Sequence, residues 1–330
     1  MMTISQFSDS YIDNIMLARS ENTARAYKNA IALFFSVLKE RWIDPQTADI
    51  TNLKEDAISW FAAYLKNYSP ATERLYLQAV KGFFEYLAAE EANDINLPRL
   101  RLLLRQRSRR SGIRLPQFPR EEIEKVLAHV ETYPDGLYEK PEEKLRALRD
   151  RAFIITLADT GLRVNEACRL RRGEIDWNEG RAIIIGKGDK QAIIRFSSRS
   201  LRALKDYLNI RMKFDGSTGL PLSSLPLFAR HDKGAGKKTK PITTTTGRNI
   251  VAENVRLALG KDTERTITPH SFRHYFVTTV LRASGNLKLA QELARHTNIS
   301  VTQRYAHLSD NELDQGYFDI FDINKKPNHT

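Results

Sequence analysis

The sequence has little of several features that assign a chain to a common class. Its 330 residues include one cysteine, Cys168, which excludes an intramolecular disulfide framework and a zinc site built from cysteines. No apolar run approaches the ~18 residues of a membrane span. The N-terminal stretch "MMTISQFSDSYIDN" lacks the basic and apolar regions of a secretory signal. We therefore expect an intracellular protein, since a reducing compartment suits a chain without disulfides.

Negative charge is scarce in most of the chain. Residues 1–97 hold 9 lysines and arginines against 13 acidic residues, a net charge of −4. The whole chain carries +12, so the remainder carries +16. Such an excess indicates a polyanionic partner, most simply nucleic acid, although a basic surface can also be inert.

Apolar residues at helical spacing dominate the first hundred residues. The segment "TARAYKNAIALFFSVLKERW" predicts one apolar stripe, formed by Tyr27, Ile31, Phe34, Phe35, Leu38 and Trp42. The segment "SPATERLYLQAVKGFFEYLAAE" opens with Ser69 as a helix N-cap and Pro70 at the first helical position. Together with a further helix near residues 52–66, these segments predict a small helical bundle over residues 1–97.

Acidic residues are absent from residues 98–116, "PRLRLLLRQRSRRSGIRLP". The seven arginines of this stretch are Arg99, Arg101, Arg105, Arg107, Arg109, Arg110 and Arg114. Because unpaired guanidinium groups are costly to bury, we interpret the stretch as an interdomain linker whose arginines contact DNA phosphates. A solvated basic loop is the alternative.

Residues 117–330 combine helices with a short sheet. The segments "PREEIEKVLAHV" and "LRALRDRAFIITLADTG" predict helices, the second of which ends at Gly161. Two β-branched runs, at 182–185 and 192–196, flank a glycine-rich turn and predict a hairpin. Further expected elements are a helix over "SRSLRALKDYLNIRM", a polar loop over 231–247, and helices near 247–259, 269–284 and 287–296. The expected fold class is mainly α with a small antiparallel β-sheet.

Arg163 lies where one predicted helix ends and the next begins. The start of a helix attracts anions through its unpaired amides and its dipole, and an arginine adds a bidentate fork for phosphate. Glu166 follows three residues later and can instead form a surface ion pair with Arg163. The spacing leaves both interpretations open.

Three further basic residues stand at defined positions. Lys187, in "GKGDK", occupies the tip of the predicted hairpin, where simple solvation is the default for a lysine. His270 and Arg273, in "TPHSFRHYF", share one face in the first turn of a helix that Thr268 can cap. The chain contains neither a P-loop nor an H-E-x-x-H pattern, so we expect no nucleotide cradle and no metal site.

The stretch "ARHTNISVTQRYAHL" carries His296 at the end of one helix and Tyr305 nine residues later. Ser300 is expected to cap the helix that contains Tyr305. The structural alternative is that Tyr305 packs in the core, because Val301 and Leu308 lie on the same helical face.

The order of arginine, lysine, His-x-x-Arg, histidine and tyrosine resembles the tyrosine recombinase family, which includes phage integrases and the Xer- and Cre-like enzymes. The strings "TGLRVNEACRL", "GKGDK" and "SVTQRYAHL" are similar to that family, and the N-terminal helices resemble its core-binding domain. The resemblance covers nearly the whole chain. One departure is Arg295, which stands where the family commonly has glycine and therefore predicts a different local backbone.

The resemblance implies a site-specific recombinase that cuts and rejoins DNA through a 3′-phosphotyrosyl intermediate, with no cofactor and no metal. The implied catalytic residues are Arg163, Lys187, His270, Arg273, His296 and Tyr305, with Glu166 in support. In this scheme Tyr305 is the nucleophile, the two arginines clamp the phosphate and Lys187 is the general acid. His270 acts as a base or donor, and His296 donates to a phosphate oxygen.

The same resemblance implies a core-binding domain over 1–97 and a catalytic domain over 117–330 that together clamp double-stranded DNA. The expected working unit is a homotetramer, assembled from monomers or dimers on each site, with accessory proteins as further partners. The tail from about 309 to 330 is expected to dock onto a neighbouring subunit, or else onto its own domain. The protein would act in the cytoplasm, associated with the nucleoid.

Two other functions fit part of the pattern. A type IB topoisomerase-like enzyme uses similar chemistry to relax DNA, and a helical DNA-binding regulator explains the charge but leaves Tyr305 as a core residue. The sequence does not identify the target DNA or the source element. It also does not distinguish integration from excision or dimer resolution.

Overall fold

The computed structural model describes residues 2–109, 119–132, 138, 140–185, 191–215, 219–231, 239–263, 267–296 and 298–303. The chain divides into two compact units, residues 1–114 and 115–330. The prediction of a mainly helical protein with a small antiparallel sheet is confirmed. Within the described ranges, no helix is both long and apolar enough to cross a membrane.

An aromatic core holds the helices of the first unit together. These helices are α1 (Ile4–Ala18), α2 (Glu21–Lys39), α3 (Asp56–Tyr64), α4 (Pro70–Ala89) and α5 (Leu97–Arg107). Phe34, Phe61, Phe83 and Phe84 are fully buried, and the rings of Phe34 and Phe61 meet edge to face at 5.3 Å. Burying each such side chain contributes roughly 1.5–3 kcal/mol, so the predicted apolar stripes of α2 and α4 supply much of the stability of this unit.

Helix boundaries in the first unit agree with the sequence at one site and differ at another. Helix α4 begins as predicted, because the Ser69 hydroxyl accepts a hydrogen bond from the Thr72 amide and Pro70 follows it. The prediction for Trp42 was wrong: α2 ends at Lys39, and Trp42 has a φ of 64° and is 97% exposed. A positive φ ends the helical path, so Trp42 leaves the apolar stripe.

Residues 97–107 form helix α5 of the first unit, whereas the sequence analysis placed residues 98–116 in an interdomain linker. Leu100 is fully buried in the core of that unit. The Arg99 guanidinium on the same helix donates to the Glu55 carboxylate at 2.9 Å. Acidic side chains elsewhere in the unit therefore compensate the positive charge of the arginines. The leucines between the arginines can then pack against the core of the unit.

The second unit surrounds a larger core. Its helices are α6 (Arg120–Glu131), α7 (Pro141–Thr160), α8 (Val164–Arg169), α9 (Ser198–Asp215), α10 (Thr244–Leu259), α11 (Pro269–Ser284), α12 (Leu287–Ala294) and α13 (Ile299–Gln303). The core lies around α7, where Phe153 meets the ring of Phe228 edge-on at 5.1 Å. Because α7 is buried along most of its length, it is a rigid base for the turn that follows it.

A small sheet lies within this helical unit. Strands β1 (Ile175–Asp176), β2 (Arg181–Ile185) and β3 (Gln191–Arg195) are antiparallel in that order, as the hairpin prediction required. Ile183 pairs with Ile193, and both are exposed, whereas Ile184 is buried against the core. This alternation is typical of a sheet with one face in the core.

Two boundaries late in the chain differ from the predictions. The loop expected over 231–247 ends at Thr243, because the Thr243 hydroxyl accepts from the Thr246 amide and caps α10. Four consecutive threonines leave the capping residue undecided in the sequence. Ser300 was expected at an N-cap but lies inside α13, which begins at Ile299.

Candidate active site

A glycine turn places Arg163 between two helices. Helix α7 ends at Gly161, which has a φ of 61° in the left-handed region. A Cβ on Gly161 would collide with the ring of Phe276, and the positive φ also favours glycine at this position. Arg163 occupies the N-cap of α8, as predicted, and its side chain is 50% exposed.

The Glu166 carboxylate is the partner of Arg163. The Arg163 guanidinium donates to one carboxylate oxygen at 2.9 Å, and the Arg163 amide donates to the other, also at 2.9 Å. The Arg295 guanidinium reaches the second oxygen at 3.0 Å. Burial by itself raises the pKa of Glu166, but Arg295 and Arg163 outweigh it and hold that pKa below its usual value. The ion pair that the sequence left open is therefore present.

Arg273 joins two segments of the site through their backbones. Its guanidinium donates to the carbonyl of Gly161, just before Arg163, and to the carbonyl of Ala294, just before Arg295 and His296. The residue is buried, which makes both hydrogen bonds structurally important. Arg273 was predicted to share a helical face with His270. The structure adds that it fixes the α7–α8 turn against the end of α12.

The rings of His270 and His274 are in contact on successive turns of α11. Thr268 occupies the N-cap and Pro269 the first helical position, as predicted. The two rings lie edge to face with centroids 4.2 Å apart. Burial, followed by the positive charges of Arg273 and Arg163, lowers the pKa of His270 and so favours its neutral ring. Within the described ranges, no three metal-ligating side chains are grouped to hold an ion.

We predict an acid-side loss of stability that depends on His274. Burial, with the charges of His270, Arg273 and His296, lowers the pKa of His274 to about 4, against about 6.5 in an unfolded chain. Between these values the unfolded chain binds more protons than the folded one, so the free energy of unfolding falls as pH falls from about 6.5 to 4. Thermal melts across this range should show a shallower decline for His274→Asn. Equal slopes in both proteins would contradict the prediction.

His296 follows a left-handed residue at the end of α12. Arg295 has a φ of 57°, a left-handed conformation that glycine favours at the end of a helix. Burial, then the charges of Arg273 and Arg163, lowers the pKa of His296 to about 4. Its Nδ1 atom lies 2.9 Å from the buried hydroxyl of Thr302 in α13. The neutral imidazole is thereby tied to the helix that leads toward Tyr305.

We predict that the Thr302 hydroxyl matters for the position of α13. Thr302→Val keeps the shape of the side chain but removes the bond to His296, which should cost about 1 kcal/mol in local stability. Hydrogen exchange of the amides of residues 299–303 should accelerate about fivefold, whereas Thr302→Ser should remain near the wild-type rate. Identical exchange in the valine variant would show that the contact does not hold this helix.

The site brings together residues more than a hundred positions apart in sequence, on a helical unit with a small sheet. A sequence profile described as "Phage integrase family" matches residues 117–312, which is over half of the chain. A second profile, "Phage integrase, N-terminal SAM-like domain", matches residues 9–110. The chain belongs to the phage integrase family.

Curated relatives of this phage integrase family member are similar over their full length. A tyrosine recombinase XerC of Staphylococcus aureus is 26% identical over 99% of this chain and 100% of its own length. The XerC of Thermodesulfovibrio yellowstonii is 29% identical, with 96% of both chains covered. The protein is thus a site-specific tyrosine recombinase, as the resemblance implied, and these matches do not favour a topoisomerase or a non-enzymatic regulator.

Solved structures of other integrases share the fold. The XerH recombinase bound to a palindromic difH substrate matches with a TM-score of 0.67 at 21% identity, covering 96% of this chain and 85% of that one. The Tn1549 transposon integrase in complex with transposon right end DNA matches with a TM-score of 0.65 at 18% identity, covering 97% and 100%. At these identities the likeness establishes the architecture alone.

Several residues assigned from the integrase pattern lie outside the described part of the chain. Lys187 falls between β2 and β3, and Tyr305 comes two residues after the end of α13. Arg110, Arg114 and the tail from about 309 to 330 also lie outside it. Their assignments remain predictions.

The arginines expected to contact DNA differ in their surroundings. Arg109 donates through its side chain and its amide to the buried Glu73 carboxylate, and Arg99 is paired with Glu55. These contacts fix both arginines to the first unit, so they have a structural role that the sequence did not reveal. Arg101, Arg105 and Arg107 are exposed as well, and Arg101 approaches the Glu85 carboxylate at 3.9 Å.

Three residues of the site were not assigned from the sequence. Arg295 was noted only as a departure from the family, yet it bonds to Glu166. His274 directly follows Arg273 in "HSFRHYF", and no spacing rule singled it out. Thr302 is buried, but in the sequence a threonine three residues before Tyr305 shows only a place on the same helical face. Their roles depend on which side chains meet in space.

Proposed function

We propose that the integrase cuts DNA by attack of the Tyr305 hydroxyl on a phosphodiester held between Arg163 and Arg273. The observation that carries this proposal is the double contact of Arg273. It binds the backbone beside Arg163 and the backbone beside His296, which gathers two guanidinium groups and two imidazoles. A compact set of cations is what a phosphoryl-transfer transition state needs, because negative charge builds up on its oxygens.

The arginines differ in how they serve this step. Arg163 is half exposed at a helix start, where it can offer a phosphate its forked donors. Arg273 is buried, binds two backbone carbonyls and contributes its positive charge to the site. Each donor aimed at the developing charge is typically worth about 3–4 kcal/mol of the barrier.

Proton transfer is assigned to groups with suitable ionisation. The lowered pKa of His270, caused by burial and nearby arginines, leaves a neutral ring that can take the Tyr305 proton. His296 is also neutral and can donate one N–H to a phosphate oxygen. As the phosphorus–tyrosyl bond forms, the bond to the 5′-oxygen breaks, and Lys187 protonates the departing oxygen. The product is a 3′-phosphotyrosyl ester, whose energy allows religation without a cofactor.

The partner in this proposal is double-stranded DNA carrying specific recombination sites. The XerH recombinase is bound to a palindromic difH substrate and the Tn1549 integrase to transposon right end DNA, which supports DNA as the partner. We assign core DNA binding to residues 1–97, catalysis to 117–330, and phosphate contacts to the exposed arginines of the segment between them. The assembly is a homotetramer on two sites, joined by docking of the C-terminal tail and acting on nucleoid DNA in the cytoplasm, with accessory proteins as further partners.

Covalent capture tests the proposed chemistry without knowledge of the site. Purified protein is incubated with a library of random-sequence duplexes and denatured, and DNA that remains attached to protein is recovered and sequenced. We expect a recurring duplex, joined through its 3′-phosphate to the peptide that contains Tyr305. Non-covalent binding without an adduct, or attachment at another residue, would reject the proposal.

A further inference from the structure

Arg295 occupies its position at two local costs. A non-glycine residue with a φ of 57° carries a backbone strain that glycine would avoid. Its Nε atom is buried, and in the described part of the chain it has no hydrogen-bond partner. Nothing in the capping of α12 requires a guanidinium, since glycine would cap the helix at lower cost. The cost therefore points to a function of the side chain.

The contacts of the side chain identify that function. Its Nη2 atom lies 3.0 Å from Glu166, and both side chains are nearly buried, at 12% and 11% exposure. The same carboxylate binds the half-exposed Arg163 guanidinium at 2.9 Å. Glu166 thus lies between one buried and one accessible guanidinium. Ion pairs in such surroundings are screened less than surface pairs, so their charge balance affects a bound anion.

The balance of charge differs with and without Arg295. Glu166 and Arg163 alone form a neutral pair, in which the carboxylate opposes the positive charge that a phosphate would meet. With Arg295 the three groups carry a net charge of +1. The Arg163 guanidinium then remains available to a bound anion, while Arg295 binds the Glu166 carboxylate.

We propose that Arg295 is a positioning residue for the phosphate clamp: it fixes and neutralises the Glu166 carboxylate so that the charge of Arg163 acts on the scissile phosphate. This inference rests on the proposed role of Arg163 in phosphoryl transfer. It predicts that the benefit of Arg295 exists only while residue 166 is negatively charged.

A double-mutant cycle on the full chain tests this dependence. The variants are Arg295→Gly, Glu166→Gln and the two combined, with Arg295→Lys as the conservative replacement. We expect Arg295→Gly to slow single-turnover cleavage of the captured duplex about tenfold, while DNA affinity changes less than about twofold. In the Glu166→Gln background the same replacement should have almost no effect. Arg295→Lys should recover most of the lost rate, because it restores the charge.

Inorganic phosphate provides a readout that does not need activity. Its affinity for the free protein, measured through the NMR signals of the His270 and His296 rings, should weaken about threefold in Arg295→Gly and be unaffected by that change beside Glu166→Gln. Equal losses in both backgrounds, or none in either, overturn the inference and leave Arg295 as a helix cap. If the wild type forms no adduct but the phosphate affinities follow the cycle, the proposed reaction fails and the positioning role remains.

Discussion

Replacing Arg273 by alanine is expected to lower the unfolding free energy of the second unit by roughly 2–6 kcal/mol, because the carbonyls of Gly161 and Ala294 lose their donor and each unsatisfied group costs about 1–3 kcal/mol. The same change removes a buried cation from the site, so cleavage should slow by at least about a hundredfold. Chemical denaturation and single-turnover cleavage, measured on the same preparations, check the two effects.

Replacing Arg273 by lysine separates the effect of its positive charge from the effect of its hydrogen bonds to two backbone carbonyls. Arg273→Lys retains the positive charge, but one ammonium group cannot match the planar fork that reaches both carbonyls. It should therefore recover part of the cleavage rate and little of the stability. Arg282→Ala, an exposed arginine on the same helix, is the matched control and should leave both unchanged. Wild-type stability in Arg273→Ala would contradict the bridging role.

Replacing Arg163 by alanine is expected to slow cleavage by about a hundredfold to a thousandfold, because this half-exposed arginine is the accessible member of the proposed phosphate clamp. Its effect on stability should stay within about 1 kcal/mol, since the side chain is half exposed and such pairs contribute little. Glu166 keeps Arg295 as a partner in the variant, so no buried charge is left alone.

The control for this prediction lies on the same short helix. Arg169 is exposed at the end of α8, and Arg169→Ala should cleave at the wild-type rate. Cleavage rate and DNA affinity are measured separately, so that weaker binding is not counted as slower chemistry. If Arg163→Ala cuts DNA within about threefold of wild type, Arg163 does not contact the reacting phosphate.

The different effects on stability expected for Arg273 and Arg163 follow from their positions. Both belong to the same chemical class and both were predicted to clamp phosphate. Arg273 is buried and also binds two carbonyls, whereas Arg163 stands at the accessible start of a helix. A loss of function is therefore expected at both positions, and a loss of fold at only one.

Local rules predicted most of the helices and strands correctly. The cap at Ser69, the stop at Gly161 and the start at Pro269 were all found where the sequence placed them. These features depend on groups within a few residues of one another, so a linear pattern contains the necessary information. The alternating hairpin strands were predictable for the same reason.

Two of the failed predictions have different causes. Helix α5 was interpreted as a linker because its arginines had no nearby acid, yet Glu55 and Asp56 lie more than forty positions earlier and accept from Arg99. Trp42 was included in an apolar stripe because nothing in the sequence marked its positive φ. The first failure reflects contacts distant in the chain, whereas α2 ends before Trp42 through local hydrogen bonds, such as that from the Ile43 amide to the Leu38 carbonyl.

The sequence by itself determined the family, and its local signals placed Arg163 at the start of α8 and Pro269 at the start of α11. Only the tertiary structure decided that Arg273 binds the backbone on both sides of the site, and that Arg295 and Glu166 meet across 129 positions. The physical reason is the separation along the chain between the residues involved. Caps and periodicity arise from neighbours along the chain, whereas charge balance around a phosphate depends on side chains that folding brings together.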